Sequence, residues 1–142
     1  MDKKVIGRSE KVWFPNWGIE NVNARIDTGA MTSSLHAEHI EVFQKEGEEW
    51  IRFWFDGHEG EQVEAKVVKD TQVKSSNGEA MHRYFVTTTI EFADGAEQEV
   101  LLSLANRSAM KHPVLIGRRL LSGKFLVDSG LSFVLGKKRG SA

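Results

Sequence analysis

Cysteine is absent from the 142 residues, and proline occurs only twice. The absence of cysteine excludes disulfide frameworks, thiol nucleophiles and thiolate zinc sites, and it is compatible with a reducing compartment. Glycine occurs 13 times and 40% of the residues are hydrophobic, which is typical of a folded domain rather than a disordered chain. We therefore expect a single domain over residues 1–142, large enough to fold without disulfides or a structural metal.

A strong excess of charge is also missing, since 19 basic residues face 20 acidic ones and the formal net charge is −1. This balance does not favour binding to nucleic acid or to anionic lipid. The one basic run, Lys137-Lys138-Arg139, is typical of a solvated tail. The first residues lack the apolar stretch of a signal peptide, and no run reaches the roughly 20 apolar residues of a membrane span. The sequence thus predicts a cytoplasmic protein without nucleic-acid or membrane partners.

Apolar and polar residues alternate with a period of two along most of the chain. Segments such as 50–55 and 84–90 combine aromatic and β-branched residues, as half-buried strands do. Turn dipeptides separate them, including Glu46-Gly47, Asn77-Gly78 and Asp94-Gly95. We predict strands near 3–7, 11–14, 20–27, 38–45, 49–56, 62–69, 81–92, 96–104 and 124–128, and one short helix over 118–121 that Gly123 ends. The fold class is therefore predicted to be all-β.

The candidate catalytic residue is Asp27, at the end of a predicted strand and followed by Thr28, Gly29 and Ala30. The strand fixes the carboxylate, and the glycine allows neighbouring backbone to approach closely. Thr28 can form hydrogen bonds behind the site. An Asp-Thr-Gly triplet on its own also fits an ordinary polar turn.

A second segment about ninety residues downstream makes the triplet informative. Leu115, Ile116, Gly117 and Arg118 belong to a pattern of buried strand, glycine and helix. The two segments together resemble the retropepsins, in which such a strand lies beside the Asp-Thr-Gly loop and the helix packs beneath the active site. The resemblance implies a closed acid-protease barrel with one short C-terminal helix.

Several further motifs resemble one bacterial family of retropepsin-like aspartic proteases, whose members carry the name ATP-dependent zinc protease. The matching segments cover nearly the whole chain: Gly7-Arg8-Ser9-Glu10, 26–30, Ser33-Ser34-Leu35-His36-Ala37, Ser75-Ser76-Asn77-Gly78, Asn106-Arg107-Ser108-Ala109-Met110 and 115–118. This resemblance implies an aspartic-type endopeptidase acting on a peptide or protein. It also implies a functional link to ATP-grasp ligases that add glutamate to proteins.

The residues themselves contain no motif for zinc or ATP. There is no Walker-type glycine loop and no His-Glu-x-x-His helix. His36 and His39 are three residues apart, a spacing that suits a metal only on a helix, whereas this segment has the pattern of loop or strand. We therefore expect no metal, no nucleotide and no other cofactor.

A single catalytic aspartate implies two chains. Aspartic proteases hold water between two carboxylates that share one proton, so that one acts as base and the other as acid. The sequence repeats part of the motif in Phe125-Leu126-Val127-Asp128-Ser129-Gly130, but only fourteen residues follow Asp128, too few for a second lobe. We therefore interpret Asp128 as a turn residue that ends a strand, and we expect the second carboxylate to be Asp27 of a second copy in a homodimer.

A lid and a substrate cleft are also expected. The segment 73–81 contains Ser75, Ser76, Asn77 and Gly78, whose Asn-Gly tip suits either a mobile flap over the substrate or a plain surface hairpin. Substrate would bind as an extended strand with side chains in alternating pockets. Met31, Leu115 and Ile116 are candidates to line these pockets, although they equally fit a core.

The charged residues near the motifs differ from the viral pattern. In viral retropepsins an acidic residue lies two positions after the motif glycine and pairs with the arginine after the downstream glycine, whereas this sequence has Met31 there, so Arg118 lacks its expected partner. Four residues match the bacterial family instead, and they fit either ion pairs around the site or simple solvation: Arg8, Glu10, Arg83 and Arg107.

Three functions agree with these patterns. The first is a homodimeric aspartic endopeptidase with Asp27 as the shared acid and base. The second is a peptide-binding or protein-binding module that kept the fold and lost turnover. The third, a metal-dependent hydrolase, rests on the family's name alone.

Overall fold

The structure, a computed structural model, describes residues 3–55, 62–74, 78, 80–105 and 112–136. Its strands are β1 Lys4–Ile6, β2 Ser9–Phe14, β3 Ile19–Ile26, β4 Ser33–Lys45, β5 Glu48–Phe55, β6 Gln62–Lys66, β7 Lys69–Lys74, β8 Ala80–Phe92, β9 Glu97–Ala105, β10 Val114–Ile116 and β11 Phe125–Val127. A 3₁₀ turn spans Pro15–Trp17, and the α-helix, α1, spans Arg118–Leu121. None of the helical segments in these ranges is long and apolar enough to cross a membrane.

Six strands form a closed barrel in the order β10, β3, β2, β8, β9 and β4. The pairing between β4 and β10 closes the ring. Strands β5 and β6 extend the sheet beyond β4, while β7 pairs with the edge of β8. Strands β1 and β11 form a separate, parallel two-stranded sheet. The architecture confirms the predicted all-β, closed retropepsin-like barrel with one short C-terminal helix.

The core is formed by the inward-facing side chains of the barrel, of β5 and of β6, together with Ile6 of β1 and Leu120 and Leu121 of α1. Its largest fully buried apolar members are Phe14, Phe53, Phe92, Ile6, Leu35, Ile51, Ile90, Leu102, Ile116 and Val12. Each contributes about 1.5–3 kcal/mol by leaving water. The core thereby holds β3, β4 and β10 in fixed positions, and these three strands carry the candidate site.

The predicted strands match most of the observed ones to within a few residues, with two differences. Strand β4 begins at Ser33 rather than at residue 38, because residues 33–37 are buried on both faces and show no alternation. The predicted strand over 62–69 is two strands, since the backbone changes partner between them. The Val67 N–H donates to Glu49 O of β5, whereas the Val68 N–H donates to Phe85 O of β8.

The turn dipeptides behave as predicted where they are described. Glu46 and Gly47 both have positive φ angles, 52° and 78°, as a tight hairpin turn between β4 and β5 requires. At the next hairpin, Gly95 has a φ of 92° and the Asp94 side chain accepts a hydrogen bond from the Ala96 N–H. These turns set the register of the long antiparallel strands around the site.

Candidate active site

Asp27 lies immediately after the end of β3, beside the end of β10 and the start of β2. Its N–H donates to Ile116 O at 2.9 Å, and the preceding Ile26 N–H donates to Arg8 O at 2.8 Å. The parallel pairing of β3 with β10 places Ile26 opposite Ile116. The aspartate backbone is therefore fixed from both sides by ladder-type hydrogen bonds.

The Asp27 carboxylate is oriented by the loop that follows it. Its Oδ1 atom accepts a hydrogen bond from the Gly29 N–H at 2.9 Å, and the Ala30 N–H donates to Asp27 O at 3.2 Å. The Asp27 side chain is half-buried, while Thr28 and Gly29 are exposed. The loop thus presents a carboxylate of fixed orientation at the surface of a rigid barrel.

Gly117 is required by the close approach of this loop to β10. A Cβ atom at position 117 would lie 2.8 Å from Ala30 O and 2.9 Å from the carbonyl carbon of Thr32. The Gly117 N–H also donates to Ser33 Oγ at 3.0 Å. Ser33 is a supporting residue that sequence reasoning missed, because a buried serine carries no pattern that identifies its partner.

The start of α1 holds the far end of the Asp27 loop. The Arg118 N–H donates to Ala30 O at 2.8 Å, and the Arg119 N–H donates to Met31 O at 2.9 Å. The Arg118 guanidinium donates to Thr28 O at 3.0 Å. Arg118, predicted to lack its usual acidic partner, thus binds a backbone carbonyl, and Met31 is 56% exposed.

A cavity of about 390 Å³ opens beside the loop. It is lined by Ala30, Met31, Thr32, Ser34, Arg83, Phe85, Ser103, Ala105 and Leu115. Met31 and Leu115 therefore lie where the sequence predicted pocket residues, whereas Ile116 is fully buried in the core. The cavity mixes apolar walls with one cationic side chain, that of Arg83.

The predicted flap lies only partly within the described residues. Ser75, Ser76 and Asn77 are outside them, and Gly78 has a φ of 85°. Strands β7 and β8 on either side of this segment pair in antiparallel register from Lys69 opposite Phe85 to Lys74 opposite Ala80. Since Arg83 and Phe85 of this hairpin line the cavity, its base is next to the Asp27 loop.

The prediction that Glu10 belongs to an ion pair around the site is wrong for the described part of the chain. This residue is fully buried, and its carboxylate accepts hydrogen bonds from the N–H groups of Gly7 at 2.8 Å, Val134 at 3.1 Å and Leu135 at 3.2 Å. Glu10 is thus a structural anchor between two distant backbone segments. The Arg8 guanidinium donates to Ser129 O at 3.4 Å, and Arg107 lies outside the described residues.

Several arginine side chains lie around the Asp27 loop. Arg8 and Arg25 line a second cavity, of about 370 Å³, together with Ser9, Ile26, His112 and Ser129. Within the described ranges, no ion pair joins Arg8, Arg25, Arg83 or Arg118 to an acidic side chain. Two of these guanidiniums, those of Arg8 and Arg118, donate to the backbone carbonyl oxygens of Ser129 and Thr28.

The two histidines considered as metal ligands have separate surroundings. His36 is buried and hydrogen-bonds Glu38 Oε2 at 2.8 Å, while His39 packs against the Trp54 ring with centroids 3.9 Å apart. In the part of the chain that the structure describes, no three His, Asp or Glu side chains are grouped to hold a metal ion. Asp128 follows β11 directly, and its Oδ1 accepts from the Gly130 N–H at 2.9 Å.

Known proteins resemble the chain over almost its full length. A family model described as RimB-like, retropepsin-like aspartic endopeptidase RimB, matches residues 5–138. Two curated proteins named "Probable alpha-L-glutamate ligase" are similar: one from Shewanella pealeana, 41% identical over 96% of this chain, and one from Desulfotalea psychrophila, 34% identical over 95%. The chain spans only 31% and 30% of their lengths. A crystal structure of a Legionella pneumophila protein of unknown function superposes with a TM-score of 0.78 and 27% identity, covering 94% of this chain and 99% of that one.

Proposed function

The chain belongs to the RimB-like family of retropepsin-like aspartic endopeptidases, and from this premise we propose that it hydrolyses peptide bonds, with Asp27 as one of two carboxylates that activate a water molecule. The observation that carries the proposal is the fixed Asp27 carboxylate, held through Oδ1 by the Gly29 N–H in a loop whose residues 30–32 line a cavity. Preorganised groups of this kind are what catalysis of acyl hydrolysis requires.

The chemistry needs two carboxyl groups and one shared proton. The ionised carboxylate takes a proton from water as the water oxygen bonds to the peptide carbonyl carbon, and the protonated carboxyl gives its proton to the carbonyl oxygen. In the second step the C–N bond breaks, the leaving nitrogen takes a proton from one carboxyl, and a hydroxyl of the tetrahedral intermediate returns one to the other. The second carboxyl comes either from Asp27 of a second copy, as the sequence predicts, or from the same chain.

The proposed substrate is a peptide rich in glutamate. Four arginines without acidic partners in the described ranges flank the Asp27 loop, and Arg83 lines the adjoining cavity. The curated relatives are named alpha-L-glutamate ligases, and this chain corresponds to about a third of each. A link to a glutamate ligase is also what the family resemblance implies. A substrate with several carboxylates agrees with both the charges and the names.

The first test is cleavage of peptide libraries at acidic and neutral pH, read by mass spectrometry. We expect wild type to cut glutamate-containing peptides and Asp27→Asn to leave them intact, because the amide cannot act as a base. Loss of cleavage with retained peptide binding in the variant supports a peptidase. Binding without cleavage by wild type itself would instead identify a peptide-binding module with the same fold.

The second test concerns Arg83. We expect Arg83→Gln to lower kcat/KM for a glutamate peptide by about tenfold or more, since a hydrogen bond to a charged group contributes about 1.5–3 kcal/mol. The matched peptide with glutamine in place of glutamate should change much less. Lys45→Gln, which removes a charge from the exposed end of β4, is the control. Equal losses on both peptides would remove the proposed role in charge recognition.

A further inference from the structure

The chain builds a second loop on the same plan as the Asp27 loop. Strand β11 runs parallel to β1, with Val127 opposite Ile6, just as β3 runs parallel to β10, with Ile26 opposite Ile116. Each pair ends in an aspartate on one strand and a glycine-arginine pair on the other: Asp128 with Gly7-Arg8, and Asp27 with Gly117-Arg118. The sequence shows only the Asp-Ser-Gly half of this second unit, because its other half lies more than a hundred residues away.

The hydrogen bonds of the second loop reproduce those of the first. The Asp128 N–H donates to Ile6 O at 2.9 Å, the Gly130 N–H donates to Asp128 Oδ1 at 2.9 Å, and the Leu131 N–H donates to Asp128 O at 3.2 Å. The corresponding distances around Asp27 are 2.9, 2.9 and 3.2 Å. An ordinary turn after a strand would satisfy the glycine contact alone, so the full agreement indicates a second carboxylate held in the same orientation.

The glycine and arginine positions agree as well. A Cβ atom at Gly7 would lie 2.6 Å from Leu131 O, as one at Gly117 would lie 2.8 Å from Ala30 O. The Arg8 N–H donates to Leu131 O at 2.8 Å, matching the bond from Arg118 to Ala30. The Arg8 guanidinium donates to Ser129 O as that of Arg118 donates to Thr28 O.

The two loops also share their surroundings in a reciprocal way. Ser129 of the second loop lines one cavity with Ile26 and Arg8, and Thr28 of the first loop lines another with Val127 and Arg118. Ser129 corresponds to Thr28, Ile26 to Val127 and Arg8 to Arg118. The two cavities are therefore lined by equivalent positions of the two loops. The loops therefore lie next to one another across an approximate two-fold axis, in the relation that two copies of an aspartic protease loop need.

We propose that Asp128 supplies the second carboxylate of the catalytic pair, so that one chain contains both members. The proposal rests on the proposed peptidase function and identifies its second catalytic residue. Residues 4–8 and 125–131 complete this unit with two three-residue strands, so no second lobe is needed after Asp128. The small number of residues after Asp128 therefore does not exclude a catalytic pair within one chain.

The experiment compares wild type with Asp27→Asn, Asp128→Asn and the control Glu20→Gln. The control also replaces a carboxylate by an amide, at an exposed position at the opposite end of β3 from Asp27. An asparagine at position 128 can still accept from the Gly130 N–H, so far-UV circular dichroism and thermal unfolding should report a folded protein. We expect cleavage of a glutamate-rich peptide to fall at least 100-fold in both site variants and to persist in the control.

A second readout does not depend on turnover. A glutamate-rich peptide with a secondary alcohol in place of the scissile carbonyl mimics the transition state and needs both carboxyl groups for tight binding. Calorimetry should show at least tenfold weaker binding to each site variant than to wild type. Wild-type affinity and wild-type cleavage in a folded Asp128→Asn would overturn the internal pair while leaving the Asp27 peptidase intact.

Mixing the two inactive variants separates one chain from two. An internal pair predicts that a mixture of Asp27→Asn and Asp128→Asn stays inactive, because no molecule has both carboxyl groups. Recovery of activity would place the pair between copies and contradict the proposal. Failure of wild type both to cleave and to bind the alcohol peptide would refute the peptidase function, and the pair with it.

Discussion

At the scale of single residues, the backbone rather than other side chains fixes the Asp27 carboxylate. Its oxygen binds the Gly29 N–H and its own N–H binds Ile116 O. The sequence predicted Asp27, Thr28, Gly29 and the segment 115–118 as one site, and the structure brings them together. The sequence could not predict the hydrogen bond between Ser33 and Gly117 or the anchoring role of Glu10. The partners of Ser33 and Glu10 lie far away in the sequence, and only the folded chain brings them together.

Glu10 provides a stability test at this scale. Because three backbone N–H groups point at its buried carboxylate, Glu10→Gln turns an amide NH₂ toward at least one donor. We expect a loss of about 1.5–3 kcal/mol in the free energy of unfolding, measured by urea titration. Glu20→Gln, at an exposed position in β3, should change it by less than about 0.5 kcal/mol. Equal stabilities of the two variants would refute the anchoring role.

Gly117 provides a second stability test. A methyl group there would overlap the backbone of residues 30 and 32, which the barrel cannot easily move. We expect Gly117→Ala to cost about 1–3 kcal/mol and to lower the unfolding temperature measurably. Ser122→Ala, at the exposed end of α1, is the control. An unchanged unfolding temperature for Gly117→Ala would show that the loop can shift to make room.

At the scale of elements, the pattern of burial decides which strands are visible in the sequence. Alternation predicted β5, β8 and β9, each with one face in the core. It failed for the first part of β4, where Ser33–Ala37 is buried throughout because β9 and β10 flank it. A strand in that position loses its polar face, and so loses the signal of period two.

The contact between β1 and the turn joining β8 to β9 gives a pH-dependent prediction. Partial burial acts to raise the pKa of Asp94, but hydrogen bonds from Lys4 and the Ala96 N–H outweigh it and hold this pKa below the usual 3.8. A depressed folded-state pKa means that the stabilisation is present above pH 3.8 and is lost as pH falls through the folded-state value. Asp94→Asn should therefore destabilise the protein at pH 7 and converge with wild type at lower pH, measured by denaturant unfolding. A pH-independent difference would contradict this linkage.

At the scale of the whole molecule, the short strand β10 closes the barrel and carries half of the site. It pairs with β3 on one side and β4 on the other, so the strand that closes the barrel also borders the Asp27 loop. The sequence predicted this closed architecture through its family resemblance. It did not predict the second unit formed by β1 and β11, because pairing between the first and last strands leaves no local pattern.

Two solution measurements address the molecule as a unit. If both carboxyl groups lie in one chain, cleavage per molecule should stay constant as the protein is diluted below any dimer dissociation, checked by sedimentation velocity. A fall in specific activity that follows dimer loss would favour the homodimer.

Because the proposed mechanism uses carboxyl groups alone, excess chelator should leave the cleavage rate unchanged. Stoichiometric zinc together with chelator-sensitive cleavage would instead identify a metal-dependent hydrolase.

The most direct test of the central claim is the initial rate of glutamate-peptide cleavage by wild type and Asp27→Asn at matched concentration, with folding confirmed by circular dichroism. Removal of a general acid-base group typically costs 10²–10⁴-fold, and we predict a loss in about this range. Cleavage by the variant at the wild-type rate would contradict the assignment of Asp27 as the catalytic carboxylate.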